Sequence, residues 1–175
     1  MQLKCARVIF YEHSGLILGT RTKLDMRVVI QRVKHAKVEV EEELKGEIGK
    51  GLLLFVGVEE EDEDEDVEYL ARKIASMRIF NDEEGKMNLA LNAVGGEILA
   101  ISQFTLHALT KKGNRPSFIK AAAPNKAEKL YEKLKLQLGI FSHCKVESGV
   151  FGADMQVSLL NDGPVTILMD SKNKE

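Results

Sequence analysis

"MQVSLLNDGPVTILMD", residues 155–170, is the stretch on which the fold turns. Met155, Val157 and Leu159 alternate with Gln156 and Ser158, and Val165–Met169 resumes a strand-like run, so two strand signals flank Asn161–Pro164. "NDG" alone would make a competent hairpin turn. Pro164 therefore needs its own explanation, because proline cannot donate to a strand ladder and belongs at an edge, a bulge or a turn.

Upstream, Pro124 opens an amphipathic helix with Ala127, Leu130, Tyr131, Leu134 and Leu138 on one side and Gly139 as a stop signal. An earlier helix carries Val67, Leu70, Ala71 and Ile74 at i, i+3, i+4 and i+7. "GEILAIS" from Gly96 and "LLLFVGV" from Leu52 read as buried strands, while "AKVEV" from Ala36 alternates in period two. With "MRVVIQRV" from Met26 they make the opening a β-meander. Strands, a helix and more strands in each half predict an α+β architecture of curved mixed β-sheets, with two main helices covering one face.

The 175 residues, 44% apolar and 30% charged, suit one domain with a real core. Residues 1–25 differ from the rest: two short apolar runs around His13-Ser14-Gly15 read as a hairpin or as an appended leader, with Met26 as an alternative start and 26–175 as the single domain. No apolar run approaches the roughly 20 residues that span a bilayer. The N-terminus lacks signal-peptide order, so a cytoplasmic protein without a membrane partner is expected. Cys5 and Cys144 are too few and too far apart for a disulfide framework. His13, His35, His107 and His143 show no metal-ligand spacing, so neither a catalytic metal nor a cofactor is expected.

The formal charge of −2 hides a segregation. Glu59–Asp66 is an unbroken run of eight acids at the start of the first helix, where negative charge suits the helix dipole. Lys111–Lys135 holds eight Lys or Arg against Glu128 and Glu132. That basic field reads either as a solvated face or as a phosphate-binding surface, with Lys111, Lys112 and Arg115 on the rigid loop "KKGNRPSF" as candidate contacts.

Ser102, Gln103 and Thr105 follow immediately after an apolar strand, a usual place for functional groups and equally for backbone caps. No G-x-S-x-G elbow surrounds Ser102, which disfavours a conventional serine hydrolase despite His107 nearby.

Taken together and in this order, "SQFTL" (102–106), "GNRPSF" (113–118), "GVFGADM" (149–155) and "NDGPVT" (161–166) resemble the D-aminoacyl-tRNA deacylase family, from Met26 nearly to the end. The resemblance implies a homodimer that cleaves the ester between a D-amino acid, or achiral glycine, and the 3′-terminal adenosine of tRNA. It also implies a cis Gly163–Pro164 bond that reaches into the partner's active site, where main-chain carbonyls reject L side chains by collision. Ser102, Gln103, Phe104 and Thr105 then correspond to the catalytic strand end, with main-chain N–H groups polarising the scissile carbonyl. Phe151 and Met155 correspond to positions lining the adenosine pocket, although by spacing alone both read as core. The alternatives are a sister branch with a trans Gly-Pro that clears L-alanine from mischarged tRNA, and a non-catalytic RNA-binding dimer.

Overall fold

The computed structural model describes residues 26–173. The reading of residues 1–25 as an appended leader lies outside the described residues. The chain runs β1 (Arg27–Val40), β2 (Glu43–Ile48), β3 (Gly51–Gly57), α1 (Asp64–Ser76), β4 (Phe80–Asn81) and β5 (Met87–Leu89), then β6 (Glu97–Ser102), α2 (Pro124–Ser142), β7 (Val146–Ser148) and β8 (Gln156–Asp170). Both predicted helices and an α+β architecture with a mixed sheet are present.

The opening is not a meander. β2 pairs Ala36–Val40 of β1, and β3 pairs Arg27–Val33 of the same strand, while β8 runs antiparallel along both halves. β2 and β3 therefore share one edge of β1 as a single returning arm, bent at Gly49-Lys50. Period-two patterning reports which face a residue occupies and is silent about which edge pairs with what. Beyond β3 the sheet continues through β6 and β7, both joined in parallel.

β3 explains its own composition. Leu52, Leu54 and Val56 enter one core, with Val28, Ile30, Ile98, Ala100 and the stripes of both helices; Val67, Leu70, Ala71, Ile74, Leu130, Tyr131, Leu134 and Leu138 are all buried there. Leu53 points the other way, into a second core with Val38, Ile48, Leu99 and Ile101, and Phe55 packs against its margin. A strand buried on both faces reads as an unbroken apolar run. Curvature encloses the second core by folding β2 over the far end of the sheet: a Cβ added at Gly46 would meet the Ser148 carbonyl oxygen at 3.0 Å and Leu99 Cδ1 at 3.3 Å.

Helix α1 starts with a capping box, in which the Glu63 side chain accepts from the N–H of Asp66, and Asp66 Oδ2 accepts from Glu63 N–H at 2.9 Å. Helix α2 continues to Ser142, past the predicted stop at Gly139. Glycine ends a helix when it adopts positive φ, and here His143 does so at φ 56°, donating its N–H to Gly139 O at 3.0 Å.

The β1–β2 hairpin turns on Glu41 and Glu42, at φ 51° and 66°. Two consecutive left-handed residues favour Asn-Gly, and a left-handed L-residue costs about 1–2 kcal/mol. Replacing Glu41-Glu42 by Asn-Gly is therefore expected to stabilise the fold by about 1 kcal/mol in urea unfolding; an unchanged or lower midpoint would show that the glutamates are held by more than the turn.

Candidate active site

The parallel ladder ends where Gln103 N–H donates to Val56 O at 2.7 Å. The chain then leaves the sheet in a single 3-10 turn, Phe104–His107. The first donors of such a turn have no partner within it. Among the described residues, neither the Phe104 nor the Thr105 N–H meets a main-chain acceptor. Gln103 Nε2 donates to Thr105 Oγ1 at 2.6 Å, which fixes both side chains.

This strand end opens into a cavity of about 690 Å³. Its lining includes buried Val56, Ile101 and Tyr131, then Ser102, Gln103 and Phe104 from the strand end, and Phe151, Asp154, Met155 and Val157 from the segment leading into β8. Tyr131 donates its hydroxyl to Ala100 O at 2.8 Å, and burial pushes its pKa upward, so it remains a neutral donor. The Tyr131 and Phe151 rings lie 5.9 Å apart. Among the described residues, the only carboxylate lining the cavity is that of exposed Asp154.

His107 is no general base for this cavity. Its side chain is buried beneath the turn, with Nδ1 3.1 Å from Glu59 Oε1, and burial holds the imidazole below its usual range. Asp62 is also buried: Oδ2 accepts the Glu59 N–H at 2.6 Å, and Lys172 Nζ lies 3.4 Å from Oδ1. Two of the eight acids in the run, Glu59 and Asp62, are thus structural in a way the helix dipole does not cover. Burial outweighs these partners and pushes the Asp62 carboxyl up to about 6.

The second feature is on β8, which is one strand rather than two. Gln31 pairs Thr166 and Val33 pairs Asn161, so β8 advances five residues while β1 advances two. The surplus forms a bulge carrying Asp162–Val165. The Gly163–Pro164 bond is cis, both residues are exposed, and neither lines the cavity of its own chain. Arg32 braces this bulge from behind. Its side chain is 8% exposed, Nε donates to Asp162 O at 3.1 Å and lies 3.3 Å from Asp162 Oδ2, and Nη1 donates to Ile79 O at 2.5 Å. Sequence reading missed Arg32, yet its parity with buried Val28 and Ile30 was a usable signal.

A family model described as D-Tyr-tRNA(Tyr) deacylase matches residues 29–170. The chain belongs to this family. Proteins called D-aminoacyl-tRNA deacylase in Akkermansia muciniphila, Bacteroides thetaiotaomicron and Parabacteroides distasonis are 58%, 57% and 55% identical over 150 residues, which is 86% of this chain and all of each relative. Among solved structures, the c-Myc DNA unwinding element binding protein superposes with a TM-score of 0.77 at 39% identity, covering 82% of this chain and 97% of that one. A structure titled as a probable eukaryotic D-amino acid tRNA deacylase shares the fold, with a TM-score of 0.73 at 17% identity, covering 83% of this chain and 99% of that one.

Of the residues singled out by sequence, Ser102, Gln103, Phe104, Phe151 and Met155 meet around the cavity, while Thr105 stands behind Gln103 and outside the lining. Lys111, Lys112 and Arg115 lie on an exposed loop, and Gly163 and Pro164 lie apart on the bulge. Lining residues that sequence reading did not single out for the site include Phe118, Tyr131, Asp154 and Val157.

Two consequences are measurable. Arg32→Met would strand Asp162 and the Ile79 carbonyl without their donor and is expected to cost about 3–5 kcal/mol in urea unfolding; a loss below about 1 kcal/mol would show that the bulge is held by other contacts. Asp62 titrates at about 6 in the fold against about 3.9 unfolded. Its protonated form is therefore favoured by folding, a contribution complete below about pH 4 and lost as pH rises through about 6. The stability difference between wild type and Asp62→Asn should shift by about 2 kcal/mol between pH 4 and 7, and a pH-independent difference would contradict the raised carboxyl.

Proposed function

We propose that this protein hydrolyses the ester linking a D-amino acid, or glycine, to the 3′-terminal adenosine of tRNA. The observation that carries the reading is the pair of unpartnered main-chain donors at Phe104 and Thr105, beside a cavity large enough for an aminoacyl-adenosine. An aminoacyl ester is already activated, so catalysis needs positioning and stabilisation of the developing oxyanion more than a strong base. The ribose 2′-hydroxyl next to the ester assists its cleavage. Gln103 and Thr105 hold one another and keep the turn in shape, Ser102 supports the strand end, and the Phe104 and Thr105 N–H groups receive the carbonyl oxygen. Phe151, with Tyr131 behind it, and Met155 supply apolar surface for the adenine. Thr105 is not a covalent nucleophile in this scheme, because the buried His107 is held by Glu59 away from the cavity.

Chirality is sorted by a second copy of the chain. The exposed Gly163–Pro164 bulge enters the partner's cavity, and its carbonyls form a wall against which an L side chain collides while a D side chain points outward. Exposed Leu159, Leu160 and Leu168 flank the bulge on β8 and supply the apolar surface that such a dimer would bury. Rejection by shape works for many side chains at once, which suits an editor that must spare abundant L-aminoacyl-tRNA. Lys111, Lys112 and Arg115 contact phosphates of the acceptor end.

Incubation with one tRNA charged with either enantiomer of an amino acid tests the reading. The D ester should be cleaved at least about 100-fold faster, a gap on the scale of about 2.7 kcal/mol; equal rates would refute chiral selection, and binding without cleavage would refute hydrolysis in favour of an RNA-binding module. Gly163→Ala is expected to lower activity on the D ester by about ten-fold or more, since the residue sits at φ +123° and an added Cβ would meet Arg32 Nη2 at 2.9 Å. Unchanged rate and selectivity in that variant would remove Gly163 from the site.

A further inference from the structure

Phe104 lines the cavity and yet is 57% exposed, which places its ring at the rim. It meets Phe118 edge to face, with ring centroids 5.1 Å apart and planes at 78°. In the single chain the outer face of this large aromatic ring stands open beside the cavity, where a ligand could cover it.

The same rim is where the basic loop begins. Leu109 N–H donates to Ser117 O at 2.8 Å and Ser117 N–H donates to Leu109 O at 3.1 Å, closing 110–116 into an exposed loop rooted one residue from Phe118. Lys111, Lys112 and Arg115 are on it, and none of the three is paired with a carboxylate among the described residues. Aromatic faces beside unpaired cations are what single-stranded nucleic acid binds: the bases stack and the phosphates pair.

We infer that the Phe104–Phe118 step is a second nucleobase subsite, which stacks the penultimate base of the unpaired RNA 3′ end while the terminal adenosine occupies the cavity. The inference rests on the aminoacyl-tRNA reading and deepens it. Stacking is indifferent to base identity, so the step recognises a single-stranded end rather than a sequence. It also ties binding to chemistry, because the ring that stacks is carried by the residue whose N–H faces the ester. A seated penultimate base therefore fixes the catalytic turn against the substrate.

The test uses the whole chain and two D-aminoacylated RNA hairpins with a CCA end, one intact and one abasic at the penultimate nucleotide. In wild type, loss of that base should lower kcat/KM about ten-fold. In Phe104→Leu and in Phe118→Leu the same loss should shrink to about two-fold or less, and Phe104→Tyr should restore it. Each ratio is taken within one variant, so a smaller folded fraction cancels. The inference is overturned if wild type cleaves both hairpins alike, or if the leucine variants keep the full penalty. Cleavage of neither hairpin by wild type would instead sink the ester-hydrolase reading beneath it.

Discussion

The parallel pairing of β3 with β6 is the contact on which the remaining architecture depends. Both strands are sealed on two faces, so every polar group along them must be satisfied within the ladder. The ladder can stop only where the chain turns away, and it stops at the Gln103 N–H on Val56 O. The donors left over in the following turn are thus a by-product of closing a two-sided core, and they emerge beside the cavity that Pro124, Ala127 and Tyr131 of α2 help to line. Site and core are the same construction problem solved once.

The second half of the proposed machinery lies apart from that strand end. The β8 bulge takes its shape from Arg32 on β1, a strand whose inner face otherwise holds aliphatic side chains. A buried guanidinium is costly unless its donors are met, and Asp162 takes Nε while Ile79 and Asn81 take Nη1 from a separate segment. The brace holds a surface feature rather than the core. Under a dimeric reading, each protomer then presents one completed cavity and one projecting tip, and neither works alone.

Much of this was legible beforehand because it is periodic. Both helical stripes and the unbroken runs of β3 and β6 follow from which faces are buried, and the motifs located the strand end and the Gly-Pro tip. The features missed are those that period does not encode. A meander and a bent returning arm present identical face patterns, so the partners of β1 were out of reach. Gly139 misled because a glycine marks a helix end only through its φ, and that role passed to His143. Glu59 and Asp62, read within a charged run, are buried by tertiary packing that no local window contains.

The surplus residues in β8 have an architectural consequence. Because pairing resumes on either side of the bulge, at Thr166 and at Asn161, the tip projects from the ladder without interrupting it, tied to the core through Arg32. Scaffold and tip are therefore distinct parts of one strand.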